Sequence, residues 1–289
     1  MGERAVIVIS SHVARGTVGA RAATLALEAL GRPVWAVHTL HLPWHPGHAF
    51  RRGETARIVP PDADFERLLD DLAAAPWLPE VGAVVTGYMA SVAQVEAVAN
   101  FVAALRERGI LYVCDPVMGD AAVGEPGRLY VPQPVAEALR DRLVPLADVV
   151  TPNRFELRWL SGRDVPFETN GEIVMAARAL APPRVLVTSA LPVMREATGN
   201  ILVGEHAWMA EHRAFPRAPN GTGDLTAALF THHVLAGASP RDALERTTAT
   251  TFAVVARSVG AGSDELLAEG DRGDFVRPFA PVTVRQIAG

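Results

Sequence analysis

The chain has 289 residues, 49% of them hydrophobic and 20% charged, with a net charge of −5. That is enough apolar material for a sizeable α/β core, and residues 1–289 are expected to form a single domain. All 27 basic residues are arginine, which excludes a Walker-type phosphate loop, a protein-kinase strand lysine and any lysine Schiff-base chemistry.

Acidic balance without a basic block argues against a nucleic-acid partner. No apolar run reaches the roughly 18 residues that cross a bilayer. The start is too short for a signal-peptide core with its flanks, so a cytoplasmic location is expected. The one cysteine, Cys114, excludes an internal disulfide and a cysteine-rich zinc site, and it reads as a buried structural thiol.

The first predicted strand is Ala5–Ser10. Ser11 to Gly19 then make a small polar loop into a helix over 19–30. The loop lacks the full Gly-x-Gly-x-x-Gly of a dinucleotide site. After a strand over 33–39, residues 42–61 are irregular. His38, His41, His45 and His48 crowd around Trp44 there, and prolines break the spacing a zinc site needs. A loop over an aromatic substrate suits these residues better. A helix over 64–75 and a strand over 83–86 lead to Thr86-Gly87-Tyr88. A helix over 92–108 and a strand over 110–114 lead to Asp115-Pro116-Val117-Met118-Gly119-Asp120, an acid at a strand end.

The stretch 120–132 is irregular again, and loops of this length usually cover a site. A helix over 133–142 and a strand over 149–151 precede Thr151-Pro152-Asn153-Arg154-Phe155-Glu156. Asn153 and Glu156 open a helix over 154–161. Their spacing serves either a water-mediated Mg²⁺ site or a capping box. A helix over 172–180 and a strand over 185–188 follow. Between 200 and 209 the pattern breaks into short segments that suit an antiparallel edge. The last helices are predicted over 224–236 and 240–255.

Strand–helix alternation of this kind predicts an α/β fold with a mostly parallel central sheet and helices on both faces. Ligands bind at the carboxyl ends of strands in such sheets, so the strand-end motifs converge on one rim. Asn220-Gly221-Thr222-Gly223-Asp224 joins them. Two glycines open a helix whose first N–H groups and dipole suit an anion, with a carboxylate in the first turn. A tight turn with a capping acid explains the same residues.

These motifs resemble the ribokinase-like small-molecule kinases, and within them the pyridoxal kinases. The resemblance covers residues 5–257. It is carried by Ser11-His12-Val13 with Gly16 and Gly19, Thr86-Gly87-Tyr88, Cys114 to Gly119, Thr151-Pro152-Asn153 with Glu156, and Gly221 to Asp224. It implies a ribokinase-like fold and ATP-dependent phosphorylation of the 5′-hydroxymethyl group of pyridoxal, with pyridoxamine and pyridoxine as related acceptors. It implies Asp224 as general base and Gly221, Thr222 and Gly223 as an anion hole. Ser11, His45, Gly47 and Asp224 would contact substrate. Asp115, Thr151, Glu156, Thr188 and Arg213 would contact ATP, and Asn153 and Glu156 would reach Mg²⁺ mostly through water. A homodimer is also implied.

Two departures stand out. Pro46-Gly47 replace a polar pair after His45, and Thr188 stands where the family has an ATP-site lysine, leaving Arg213 or Arg217 to supply the charge. The alternatives are a hydroxymethylpyrimidine kinase of the same superfamily, which usually has Cys at the place of Asp224, and a non-catalytic B6-vitamer-binding protein.

Overall fold

Every residue from Ala5 to Ser10 is buried, so the first strand must be covered on both faces. The computed structural model describes residues 3–48, 55–121, 127–269, 272–278 and 280–289. Parts of the two irregular stretches, 49–54 and 122–126, lie outside the described residues. In chain order the elements are β1 (Ala5–Val13), α1 (Ala20–Ala29), β2 (Val34–Leu42), α2 (Asp62–Ala73), β3 (Val81–Thr86), α3 (Val92–Arg106) and β4 (Leu111–Cys114). Then come β5 (Gly119–Asp120), β6 (Arg128–Leu129), α4 (Gln133–Ala138), β7 (Val149–Val150), α5 (Arg154–Leu160), α6 (Asn170–Arg178) and β8 (Val185–Ala190). The chain ends with β9 (Ala197–Val203), β10 (Ala207–Arg213), α7 (Thr222–Leu235), α8 (Pro240–Gly260), α9 (Gly273–Val276) and β11 (Thr283–Ala288).

Nine strands form one sheet in the order β11-β10-β9-β8-β7-β4-β3-β1-β2. The pairs from β2 to β8 are parallel, and those from β8 to β11 are antiparallel. Period-two alternation divides the core. Ala5, Ile7 and Ile9 point to the cluster that holds α2, α3 and α4, while Val6 and Val8 point to the one that holds α1, α7 and α8. Helix α7 is buried along its apolar run from Leu225 to Thr231, which explains that run as an interior helix against the sheet. Among the described residues no helix is long and apolar enough to cross a membrane.

The mostly parallel sheet matches the expected fold class. The differences are local. The antiparallel segments expected over 200–209 are the β9–β10 hairpin, but β11 pairs outside it, so the edge is β11 and not β10. Helix α8 runs to Gly260, not 255, because its buried face continues through Val254, Val255 and Ser258 and no breaker intervenes. The helix predicted over 133–142 ends at Ala138 and widens into a π turn over Leu139–Leu143.

Candidate active site

Four backbone hydrogen bonds set the predicted motifs in a row along the carboxyl rim. Gly87 N–H donates to the Ile9 carbonyl, Asp115 to Thr86, Thr151 to Cys114 and Thr188 to Pro152, all within 2.9–3.0 Å. Each motif thus begins where its strand hands over to the next, and strand spacing fixes their separation. Arg213 ends β10 opposite Ala197, at this same end of the sheet, with its guanidinium 5.2 Å over the Phe215 ring.

The loop before α7 lies across this row. Gly221 has φ +93° and caps the helix in the left-handed region. A Cβ there would stand 2.2 Å from the Thr17 carbonyl oxygen, so the loop after β1 and the glycine loop touch backbone to backbone. Asp224, in the first turn, accepts from the Gly19 N–H at 2.9 Å through Oδ2. Gly19 in turn packs on Ser11, whose carbonyl oxygen would be 2.3 Å from a Cβ at 19. Oδ1 of Asp224 faces Gly87, and a Cβ at Gly223 would stand 4.0 Å from Asp115 Oδ2. A small pocket between them is lined by Ser10, Gly19, Thr86, Gly87, Asp115 and Asp224, among others. The described geometry therefore brings Ser11, Asp115, Gly221, Gly223 and Asp224 together.

Burial dominates the electrostatics. It pushes the Asp224 carboxyl up to about 6, against the Gly19 N–H that favours the ionised form. Asp115 is raised well above the usual carboxylate range by burial, then by the charges of Glu156 and Asp224. Burial raises Glu156 to about 8, against backbone N–H donors that oppose the shift. Three acids raised together make a site short of positive charge. Thr151 Oγ1 is buried beside Asp115 without a hydrogen bond of good geometry among the described residues.

Asn153 and Glu156 form a capping box. Asn153 Oδ1 accepts from Glu156 N–H at 2.9 Å, and Glu156 Oε2 accepts from Asn153 N–H at 2.8 Å. The pair also clamps the acidic turn. Glu156 Oε1 accepts from Met118 N–H at 3.0 Å and Asn153 Nδ2 donates to the Gly119 carbonyl at 2.9 Å. Thr188 N–H donates to Pro152, so Thr188 lies beside this cap.

His45 accepts from the Gly47 N–H at 3.1 Å, and a Cβ at Gly47 would be 3.5 Å from Asn220 Nδ2, so this turn borders the glycine loop. His38 and His41 stand apart from it and pack against His12, with ring centroids 4.4 and 5.5 Å from that ring. Among the described residues no group of three or more His, Cys, Asp or Glu is placed to hold a metal ion. Cys114 is buried, and burial pushes its thiol up to about 12, which makes it inert at neutral pH.

Three contributors lie in the motifs but had no role assigned from the sequence: the Gly19 N–H, Ser10 and Arg154. Ser10 Oγ accepts from Tyr88 N–H at 3.2 Å under the pocket. Arg154 is half-buried beside Asp120, and its Nε has no partner among the described residues. A larger cavity of about 750 Å³ opens at the opposite rim, between the ends of α7 and α8 and the segment before β11. It contains none of the motif residues and mixes charges of both signs.

The phosphomethylpyrimidine kinase family model matches residues 68–267. The nine-stranded sheet with this rim is the architecture of the ribokinase-like kinases. The chain is 36% identical to the pyridoxal kinase PdxY of Rubrobacter xylanophilus, covering 98% of this chain and 97% of that one. It is 33% identical to that of Corynebacterium diphtheriae, covering 98% and 99%. The solved pyridoxal kinase of Leishmania donovani in complex with ADP and pyridoxamine superposes with a TM-score of 0.84 at 26% identity, covering 98% and 99%. The chain belongs to the pyridoxal kinase family.

Proposed function

We propose that this protein transfers the γ-phosphoryl group of ATP to the 5′-hydroxymethyl group of pyridoxal, and of pyridoxamine and pyridoxine, as one kinase domain acting as a cytoplasmic homodimer. The observation that carries the reading is Asp224. Its Oδ2 is held by Gly19 N–H, while Oδ1 looks toward Gly87. A carboxylate so fixed accepts the proton of the attacking hydroxyl as its oxygen bonds to the γ-phosphorus. The bond from that phosphorus to the ADP oxygen breaks. The N–H groups of Gly221, Thr222 and Gly223 face the transferring charge, since the first N–H groups of a helix have no partner inside it.

Ser11, His45 and Gly47 border the vitamer in this reading. Asp115, Thr151, Thr188 and Arg213 border the nucleotide. The acid-rich donor set fits Mg²⁺, which takes few protein carboxylates and keeps its waters. Asp115 would hold it. Glu156 and Asn153, whose oxygens already accept backbone N–H groups, would reach it only through water. When bound, Mg²⁺ neutralises phosphate charge.

The competing acceptor is hydroxymethylpyrimidine, the substrate of the alternative kinase of the same superfamily, and the match to the phosphomethylpyrimidine kinase family model keeps a pyrimidine acceptor in play. ADP release measured with pyridoxal, pyridoxamine, pyridoxine and hydroxymethylpyrimidine decides between them. Turnover is expected with the B6 vitamers. Preference for the pyrimidine, or vitamer binding without any turnover, would sink the proposal.

Besides Arg213 or Arg217, we expect half-buried Arg154, whose chain neighbour Asn153 pairs with Thr188 at the place of the family lysine, to meet a phosphate. Arg154→Ala is expected to raise the KM for ATP about tenfold, the loss of a charge-assisted hydrogen bond, and leave the KM for pyridoxal in place. An unchanged KM for ATP in initial-rate kinetics would reduce Arg154 to a partner of Asp120.

A further inference from the structure

We propose that Glu265 is a positioning residue that clamps together the two loops bracketing Asp224. The inference rests on the assignment of Asp224 and its neighbours to phosphoryl transfer. Glu265 is 8% exposed. Its main chain is held by Ser263 Oγ, which accepts the Glu265 N–H at 3.1 Å, and by Leu266, which is buried in the core next door. The carboxylate therefore starts from a fixed base.

Its oxygens reach two separate loops. Arg15 Nη1 donates to Oε1 at 2.9 Å, and Thr17 N–H donates to Oε2 at 3.4 Å, both from the loop after β1. His48 Nε2 lies 2.8 Å from Oε1, from the loop after β2. Gly16, with φ +106°, lets the backbone close around the carboxylate, since a Cβ there would be 2.5 Å from Oε2. The neighbouring Arg15–Asp264 pair is exposed on both sides and adds little. The Glu265 contacts are mostly shielded and converge on one group.

Both loops bear on the chemistry. Thr17 backs Gly221, and Gly19 holds Asp224. The turn from His45 to His48, closed by His48 N–H on the His45 carbonyl at 3.0 Å, borders Asn220 through Gly47. Releasing the clamp lets the loops part on the vitamer side of Asp224. Orientation of the acceptor suffers first, and water gains access to the phosphoryl group.

The test compares Glu265→Ala, Glu265→Gln and wild type by initial rates with pyridoxal and ATP, and by the ratio of ADP to vitamer phosphate formed. Glu265→Ala is expected to raise the KM for pyridoxal about tenfold or more and to raise that ratio, with the KM for ATP within about twofold. Glu265→Gln, which retains an acceptor for Thr17, should recover part of both. Should the alanine variant fail to fold, Arg15→Ala and His48→Ala each remove one donor and should shift the same two readouts, less than additively when combined. A vitamer KM and product ratio equal to wild type in the foldable variants would overturn the clamp alone. A wild-type protein that phosphorylates no vitamer would overturn the clamp together with the reading on which it rests.

Discussion

Asp224→Asn is expected to lower vitamer turnover by about a thousandfold or more while ATP binding persists, the size associated with loss of a positioned base. The amide oxygen of asparagine still accepts the Gly19 N–H, so geometry is kept and only the basic oxygen is lost. In the wild type, burial lifts this carboxyl to about 6. A base works ionised, so kcat/KM for pyridoxal should fall as pH drops through about 6, and that limb should vanish in Asp224→Asn. Stability moves the other way. A carboxyl raised above its unfolded value of 3.8 stabilises the fold fully below that value and loses the contribution as pH rises through about 6. At pH 7 the variant is therefore expected to be more stable, by at most about 3 kcal/mol, since each unit is worth about 1.4. Rates and thermal melts across pH 5 to 8 check both signs. Near-normal turnover in the variant would remove Asp224 from its role.

Gly221→Ala is expected to be the second severe lesion. Its cause is steric. The residue holds φ +93°, and a Cβ would press on the Thr17 carbonyl oxygen at 2.2 Å, a backbone atom with no rotamer to escape into. The glycine loop must then move relative to the loop that holds Asp224. Turnover should fall about a hundredfold or more from misplacement, with a stability loss of about 2 kcal/mol or more. Gly237→Ala is the matched control. It also has a positive φ, +74°, at the far end of α7, but nothing lies within 4 Å of its Cβ position. It should cost about 1 kcal/mol and leave kcat unchanged. Equal kinetic effects of the two variants would show that helix strain, not loop contact, governs the site.

The contrast between these glycines shows how far a sequence can be read. Both follow from turn chemistry, and only the glycine loop was singled out as functional, because a carboxylate and an apolar helix follow it. Placement of Asp115, Thr151 and Asn153 at strand ends was legible because parallel strands show as short doubly apolar runs, and the residue after such a run lies on the rim; Ser11, expected in the loop after the first strand, lies instead inside β1, which runs on to Val13. The dual use of Asn153 and Glu156 was half legible. Their spacing announced a capping box, but the same carboxylate's grip on Met118 N–H, 38 residues earlier in the chain, has no local signature. Glu265 was not legible at all. Its partners Arg15 and Thr17 are 250 and 248 residues away, and nothing in its own neighbourhood distinguishes it from a surface acid.

The amino-acid sequence by itself determined the alternation of strands and helices, the rim on which chemistry can occur, and the absence of any lysine to serve it. These depend on local periodicity and composition, which a chain displays without folding. Only the tertiary structure decided which oxygen of Asp224 is held by Gly19 and which faces Gly87, that three acids share one poorly solvated space, and that the loops after β1 and β2 meet on a single buried carboxylate. Those facts depend on desolvation and on contacts between distant segments, and both come into being only when the sheet closes its layers.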